Sequence, residues 1–496
     1  MTLGEKMRQF LKNLQPYSYG NYINGRWVSS TSGEVYTIYN AANNKQALAF
    51  FPKSTKEDVN QAVKAASNAF ETWSTLPGPE RGAILYKVAD LLEENLHELA
   101  FMVSAEQGKV LSESIGEVTR AAKEARFCAG EAFRMEGNTL PAERKNVWNA
   151  TTRNPIGVIA EIAPWNFPMV TPIRKIAPAL AYGCTVVYKP ATATPWTSAK
   201  IMELLTQAGI PNGVVNLIVG SGSTVGDSLV AHPDVKGISF TGSTDLGKRI
   251  NQLTSSRFAK TQLELGGKNP AVVLDYSDVH QVATQIISAA CNCSGQRCTS
   301  ISRVIVLQDK KEELVHALIN ELEKINIGPA WDDKANMGPL VNKKHLDSVQ
   351  SYIEIGIQEG ANLIYGGEVL KTNRYEQGAY MKPALLDNVN LTMRIAKEEI
   401  FGPVITIIEV DNLEEALSVA NDVDYGLAAS IFTEDLTVAH SFAEKIESGM
   451  VHINHGTASA AHLPFGGTKN SGFGAFSVGS SNIEFFTELK TVYIEY

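Results

Sequence analysis

A chain of 496 residues, 44% apolar and 20% charged, can bury two or three cores of ordinary size and is too apolar to be disordered. Its net charge of −9 lacks the basic face that nucleic acid requires, and no apolar run reaches the ~18 residues of a membrane helix. Five cysteines (Cys128, Cys184, Cys291, Cys293 and Cys298) are too few and too odd a set for a disulfide framework, so free thiols in a reducing, cytoplasmic compartment are expected.

In chain order, Met1 to Gln15 mixes Glu5 with Lys6, Arg8 and Lys12 and reads as a short surface helix, not a secretion signal. Tyr22-Ile23, Asn24-Gly25 and Arg26-Trp27-Val28 read as a tight hairpin, because Asn-Gly accepts the positive φ of a type I′ turn. Ser54-Thr55-Lys56-Glu57 has the form of a helix capping box. Val59, Ala62, Val63, Ala66, Phe70 and Trp73 follow at helical spacing, and a second long helical region covers about Glu80 to Glu106.

From Ile156 the pattern changes to short apolar runs: Gly157 to Ile162, Thr185 to Tyr188, Val214 to Val219, Gly237 to Phe240 and Gln262 to Leu265. Helical stretches separate the first four, which implies a parallel, doubly wound sheet. A second series runs through Ala271 to Leu274, Arg303 to Leu307 and Val404 to Glu409, so two α/β domains are expected. Gly137 to Asn154 and the tail Phe485 to Tyr496 look like strands outside either sheet. An edge such as Thr491-Val492-Tyr493-Ile494 invites pairing.

Two segments carry chemistry. Gly295-Gln296-Arg297-Cys298-Thr299 offers a thiol, and Glu264-Leu265-Gly266-Gly267-Lys268-Asn269-Pro270 offers a carboxylate 34 positions earlier. A thiolate is a strong nucleophile that can later leave, and a carboxylate can activate the water that releases it. An isolated cysteine is more often simply buried, and Cys128, Cys184 and Cys291 keep that assignment. Arg297 beside Cys298 supplies positive potential, and Cys293 lies near enough in sequence to form a regulatory disulfide with it. His452, His455 and His462 cluster without partners at a metal-binding spacing, so no metal is assigned.

With Trp165-Asn166-Phe167-Pro168 and Glu399-Ile400-Phe401-Gly402-Pro403, these segments form four ordered motifs that resemble the NAD(P)-dependent aldehyde dehydrogenase superfamily over nearly the whole chain. The resemblance implies a Rossmann-like cofactor domain (residues 1–136 and 155–265), a second α/β catalytic domain (266–465) and a β-arm (137–154 and 480–496) that joins subunits into a homodimer or homotetramer. It also implies that Cys298 attacks the aldehyde, that Asn166 and the Cys298 N–H hold the oxyanion, and that hydride transfer leaves a thioester. Glu264 then activates water. Lys175 matches a family lysine near this site, where an ion-paired or surface lysine is the alternative. Many relatives carry Arg-Glu where this chain has Ala475-Phe476, so a second assisting carboxylate is absent.

For the cofactor, Gly220-Ser221-Gly222 with Gly226 follows one strand and precedes a helix. Phe240-Thr241-Gly242-Ser243 follows the next strand, where Ser243 can meet a pyrophosphate at a helix start. The resemblance adds Trp165, Lys189, Leu265, Glu399 and Phe401 to the cofactor set. NAD-preferring relatives often have Glu at the position of Thr192. Its absence removes repulsion of a 2′-phosphate, so NADP is expected to be accepted, alone or beside NAD.

The substrate pocket reads as anion-binding. Arg174 and Ser459 match residues that succinate-semialdehyde dehydrogenases use for the substrate carboxylate, whereas their further arginine is Asn292 here. Arg120 and Arg297 resemble arginines that meet phosphate in non-phosphorylating glyceraldehyde-3-phosphate dehydrogenases. Converging arginines make strong bidentate anion contacts. The expected partner is a small anionic aldehyde: succinate semialdehyde, 2-oxoglutarate semialdehyde and 3-sulfolactaldehyde all fit. A dehydrogenase for neutral or aromatic aldehydes with structural arginines is the alternative, and a non-catalytic homologue is a further one.

Overall fold

Asn24 and Gly25 take φ of 51° and 77°, and this left-handed pair closes the expected hairpin between Asn21–Ile23 and Arg26–Val28. The computed structural model describes all 496 residues, Met1–Tyr496. The hairpin extends an eight-stranded sheet through the pairing of Tyr22 with Leu217. In spatial order that sheet runs Gly472–Phe473, Lys260–Glu264, Val235–Thr241, Val158–Ile162, Thr185–Lys189, Val215–Leu217, then the hairpin. Its five middle strands are parallel.

The first of those five in the sequence, Val158–Ile162, lies in the middle. Two strands are added on one side before the chain returns and adds two on the other. The strand order therefore reverses between Val158–Ile162 and Val235–Thr241. A crevice opens outside the carboxyl ends of strands at such a point, where α/β folds bind ligands.

A second sheet holds Asn362–Gly366, Ala384–Asp387, Val404–Val410, Ile301–Leu307, Asn269–Val273, Ala428–Phe432 and Met450–Ile453 in that order. Only its edge strand Asn362–Gly366 is antiparallel. Asn269–Val273 is buried throughout, as a central parallel strand covered by helices on both faces must be. No helix is long and apolar enough to cross a membrane.

Three local expectations need correction. The capping box is built by Thr55 and Asp58, one residue beyond Ser54 and Glu57; the Ser54 hydroxyl instead donates to Asn21. The helical region from Glu80 to Glu106 is two helices, Gly78–Glu94 and Leu96–Gln107, interrupted where Asn95 leaves helical geometry at ψ 15°. The tail strand begins at Thr487, because Phe485 and Phe486 close a short helix and are buried in the core.

The arm is a three-stranded antiparallel sheet. Thr487–Glu495 pairs residue for residue with Val147–Pro155, whose other edge takes Thr139–Leu140. Leu489, Tyr493 and Ile494 stay exposed on it. The N-terminal helix Leu3–Asn13 lies at the surface but buries Met7 and Leu11.

Candidate active site

The loops that follow Val158–Ile162 and Val235–Thr241 meet a third loop, ending at Cys298, around a cavity of about 550 Å³. Trp165, Asn166, Arg120, Arg174, Thr241, Gly242, Ser243, Leu265, Arg297, Cys298, Glu399, Phe401 and Ser459 all line it. The four sequence motifs, spread over nearly half the chain, thus converge on one crevice. Glu264, Lys175, Lys189, Thr192, Gly222, Gly226 and Phe240 are not on its wall.

The cysteine loop is bent by three successive left-handed residues, Cys293 (φ 56°), Ser294 (φ 55°) and Gly295 (φ 71°). Gly295 is required there twice over: a Cβ would also lie 2.3 Å from the Gly402 carbonyl. Asn269 Nδ2 donates to the carbonyl oxygens of Cys298 (2.7 Å) and Ser300 (2.8 Å), which fixes the loop to the neighbouring strand. Cys298 is half-buried. Burial, then the Glu399 and Glu264 charges, push its thiol up to about 12. Arg297 and Arg174 act in the opposite sense, as expected of Arg297, but burial prevails. The resting thiol is therefore protonated, and its activation requires a base. The five cysteines are all free.

Glu264 is close enough to act on that thiol electrostatically. Burial raises it to about 7, against the lowering effect of a bond from the Ser477 backbone N–H to Oε1 at 3.1 Å and of Lys175. Its Oε2 is buried and has no hydrogen-bond partner. A buried acceptor left open in this way is ready for a proton or a water. Lys175 is buried behind it, donates to Ser239 Oγ at 2.9 Å, and is lowered by desolvation.

Asn166 is held at both ends. Its Nδ2 donates to Gln296 O at 2.8 Å, and its carbonyl accepts from Lys109 Nζ at 2.7 Å. Lys109 in turn forms a fully buried pair with Glu117 at 2.7 Å. Glu117 also accepts the backbone N–H groups of Met169 and Val170, so it caps the helix Val170–Ala181 that follows the Asn166 loop. One Asn166 amide hydrogen remains uncommitted.

On the opposite wall, Glu399 Oε1 accepts the Gly267 N–H at 3.0 Å. A Cβ on Gly266 would fall 2.3 Å from Glu399 Oε2, so glycine is needed for this approach. Phe401 holds φ 58°, an uncommon geometry for an aromatic residue. His345 Nε2 contacts its carbonyl at 2.7 Å, and Trp165 meets its ring edge-on at 5.3 Å.

Ser243 precedes the helix Thr244–Ser255 and makes no side-chain cap, leaving the first N–H groups open at the cavity. Lys189 is buried, is lowered by desolvation to about 8, and donates only to Pro190 O. Its Cδ and Cε lie 3.8 Å from where a Cβ on Gly226 would stand, so the end of one strand and the Gly222–Gly226 turn after the next form a second, adjoining contact region. Thr192 is exposed beside it. Phe240, expected among the cofactor residues, is a buried core residue.

Arg120 and Arg174 share one carboxylate. Glu124 accepts from Arg120 Nε at 2.7 Å and from Arg174 Nε and Nη2 at 3.0 and 2.8 Å. The ion-paired alternative is thus present, yet both residues still line the cavity. Arg120 also donates to the Ser459 carbonyl, and its Nη2 is buried without a partner. Arg297 donates weakly to Thr299 and Thr457. Ser459 is exposed at the rim.

Sequence reasoning missed Lys109, Glu117, Glu124, Asn269 and His345. Glu124 was within reach, since it lies one helical turn after Arg120. Asn269 stood inside a quoted motif, but only the fold brings it to Cys298.

A doubly wound sheet, a crevice at its reversal point and a cysteine on its wall with the buried Glu264 carboxylate acting on it define an oxidoreductase acting on aldehydes. The sequence profile of the Aldehyde dehydrogenase family matches residues 27–492, and the chain belongs to that family. It is 46% identical to the alpha-ketoglutaric semialdehyde dehydrogenase of Bacillus subtilis, over 96% of this chain and 98% of that one. It is 40% identical to the 2,5-dioxopentanoate dehydrogenase of Saccharolobus solfataricus, over 94% and 98%. The crystal structure of Staphylococcus aureus betaine aldehyde dehydrogenase in complex with NAD+ superposes with a TM-score of 0.96 at 33% identity, covering 100% of this chain and 98% of that one.

Proposed function

We propose that this chain oxidises 2-oxoglutarate semialdehyde, or a close carboxylate-bearing aldehyde, to the corresponding acid with NAD(P). The observation that carries the substrate class is the pair Arg120 and Arg174 on the cavity wall, with Arg120 Nη2 buried and unpartnered. A buried donor without an acceptor is costly and awaits one. The names of the relatives at 46% and 40% identity support a C5 aldehyde with a distal carboxylate.

The residues fit a nicotinamide dinucleotide. Open helix N–H groups beside Ser243 suit a pyrophosphate, Lys189 and Thr192 suit the adenosine ribose, and Glu399 with Phe401 suits the nicotinamide end. When bound, the cofactor supplies the hydride acceptor. Homodimer or homotetramer assembly through the exposed arm edge belongs to the same proposal.

The chain's own residues do the rest. Glu264 Oε2 takes the thiol proton, and Cys298 Sγ bonds to the aldehyde carbon. The uncommitted Asn166 amide hydrogen and the Cys298 N–H bind the resulting oxyanion; such a donor is worth about 3 kcal/mol of transition-state stabilisation. Once the carbon is at the thioester level and Glu264 has passed the thiol proton to solvent, the carboxylate draws a proton from water, whose oxygen displaces the Cys298 thiolate and releases the acid.

The test is NAD(P)H formation with 2-oxoglutarate semialdehyde, succinate semialdehyde, propanal and benzaldehyde, for the wild type and Arg174→Ala. The expected result is a strong wild-type preference for the charged aldehydes, and a KM raised for them alone in the variant. Equal loss on the neutral aldehydes would make Arg174 structural.

A further inference from the structure

Glu124 does not reach the cavity wall, yet it decides what the wall presents. It projects one turn after Arg120 from the helix Leu111–Glu131, and Arg174 reaches it from the packed helix Val170–Ala181. Both of its oxygens are engaged. Oε1 accepts from Arg120 Nε and Arg174 Nη2, and Oε2 accepts from Arg174 Nε. Its side chain is 3% exposed, against 19% for Arg120 and 12% for Arg174. Arg174 also stands 4.8 Å over the Phe465 ring.

Two consequences follow. Both Nε edges are turned toward Glu124 and Arg120 Nη1 donates to the Ser459 carbonyl, which leaves Arg120 Nη2 and Arg174 Nη1 as the donors without a bond. In addition, two guanidiniums against one buried carboxylate leave a single positive charge. A monoanionic carboxylate matches that charge, whereas a phosphate dianion would need a second cation beside this cluster, and Arg297, the other arginine on the wall, is turned to Thr299 and Thr457.

We propose that Glu124 is the positioning residue that sets the charge specificity of this pocket, orienting Arg120 and Arg174 and restricting the distal group of the aldehyde to a monoanion. The proposal rests on the reading that the distal anion docks on these arginines. Glu124→Gln keeps the shape and one acceptor oxygen but leaves two positive charges.

The experiment compares kcat and KM for 2-oxoglutarate semialdehyde, glyceraldehyde 3-phosphate and propanal in the wild type, Glu124→Gln and Glu124→Asp. The expected result is a rise of roughly tenfold in the phosphate-to-carboxylate ratio of kcat/KM in Glu124→Gln, carried by KM. Propanal turnover stays level, and Glu124→Asp restores the wild-type ratio. An unchanged ratio, or a parallel fall on all three aldehydes, would overturn the proposal. A wild type that prefers propanal would instead overturn the docking reading beneath it. Inhibition of wild-type propanal oxidation gives an answer that needs no variant: at about pH 8.5 propionate should bind more tightly than dianionic methylphosphonate, and the reverse order would also overturn the proposal.

Discussion

Asn269 reaches across from its strand to hold the carbonyl oxygen of Cys298 at 2.7 Å, so the backbone of the proposed nucleophile is fixed by a side chain of the neighbouring glutamate motif. The same amide binds Ser300 O, and its Oδ1 accepts the Ala428 N–H at 3.0 Å. Asn269→Ala leaves these buried groups without their partner, at about 1–3 kcal/mol for each that stays unsatisfied. Thermal unfolding should show a Tm several degrees lower, and kcat should fall at least tenfold. Asn269→Asp tests geometry separately. It keeps the acceptor for Ala428 but turns an acceptor toward two carbonyls, so kcat should fall further than stability accounts for.

Glu264, as the proposed base, joins activity to stability with opposite signs. Burial raises it from 4.5 to about 7, so it binds protons more readily folded than unfolded. Its favourable contribution is complete below about pH 4.5 and is lost as pH rises through about 7. Above that the ionised carboxylate costs the fold on the order of 3 kcal/mol. Glu264→Gln should therefore raise the Tm at pH 8 and change it little at pH 5. Activity goes the other way. The wild-type rate should climb through pH 7 as the base ionises, and the variant should lose both the NAD(P)H burst and steady turnover, because thiol and water lose the same base. A variant with full steady turnover would remove Glu264 from the hydrolysis step.

The parts of this molecule that were legible in the sequence share one property: their determinants are local. Asn24-Gly25 specifies its own turn, the alternating apolar runs specify parallel strands, and the four motifs are contiguous. What was not legible depends on partners distant in the chain. Lys109 becomes meaningful only where Asn166 O and Glu117 meet it. His345 enters because it contacts the Phe401 carbonyl from 56 positions away. Phe240 shows the converse: it stands in the right motif, but strand alternation turns it into the core while Thr241 reaches the cavity. The cap at Thr55 differs from Ser54 because Asn21 claims the Ser54 hydroxyl.

Asn166 is oriented by Gln296 O through one amide hydrogen and by Lys109 at its backbone carbonyl. Asn166→Ala removes the donor without disturbing Lys109, whose contact is to the main chain. kcat should fall about 100-fold, in line with about 3 kcal/mol for one oxyanion donor, with KM nearly unchanged. Lys109→Met should act differently. It strands the Glu117 charge in the interior, which typically costs 3–5 kcal/mol, so the loss should appear first in Tm. If both variants lost stability equally, the separation of donor from support would fail.

The proposed acceptance of NADP rests on Thr192, exposed beside the buried Lys189. Burial alone lowers Lys189 to about 8, and no carboxylate bonds it; its Nζ donates to Pro190 O. The ammonium therefore retains donors for a ribose hydroxyl or a 2′-phosphate. Thr192→Glu places a carboxylate where it can accept from a 2′-hydroxyl and repel a 2′-phosphate. kcat/KM with NADP should drop by about 10- to 100-fold, while the value with NAD holds or rises; that is about 1.4 to 2.7 kcal/mol, the scale of one charge repulsion in a partly buried site. The measurement is parallel saturation with both cofactors at fixed aldehyde. Equal changes with the two cofactors would separate Thr192 from the ribose, and the choice would then lie with Lys189 or with the Gly222–Gly226 turn beside it.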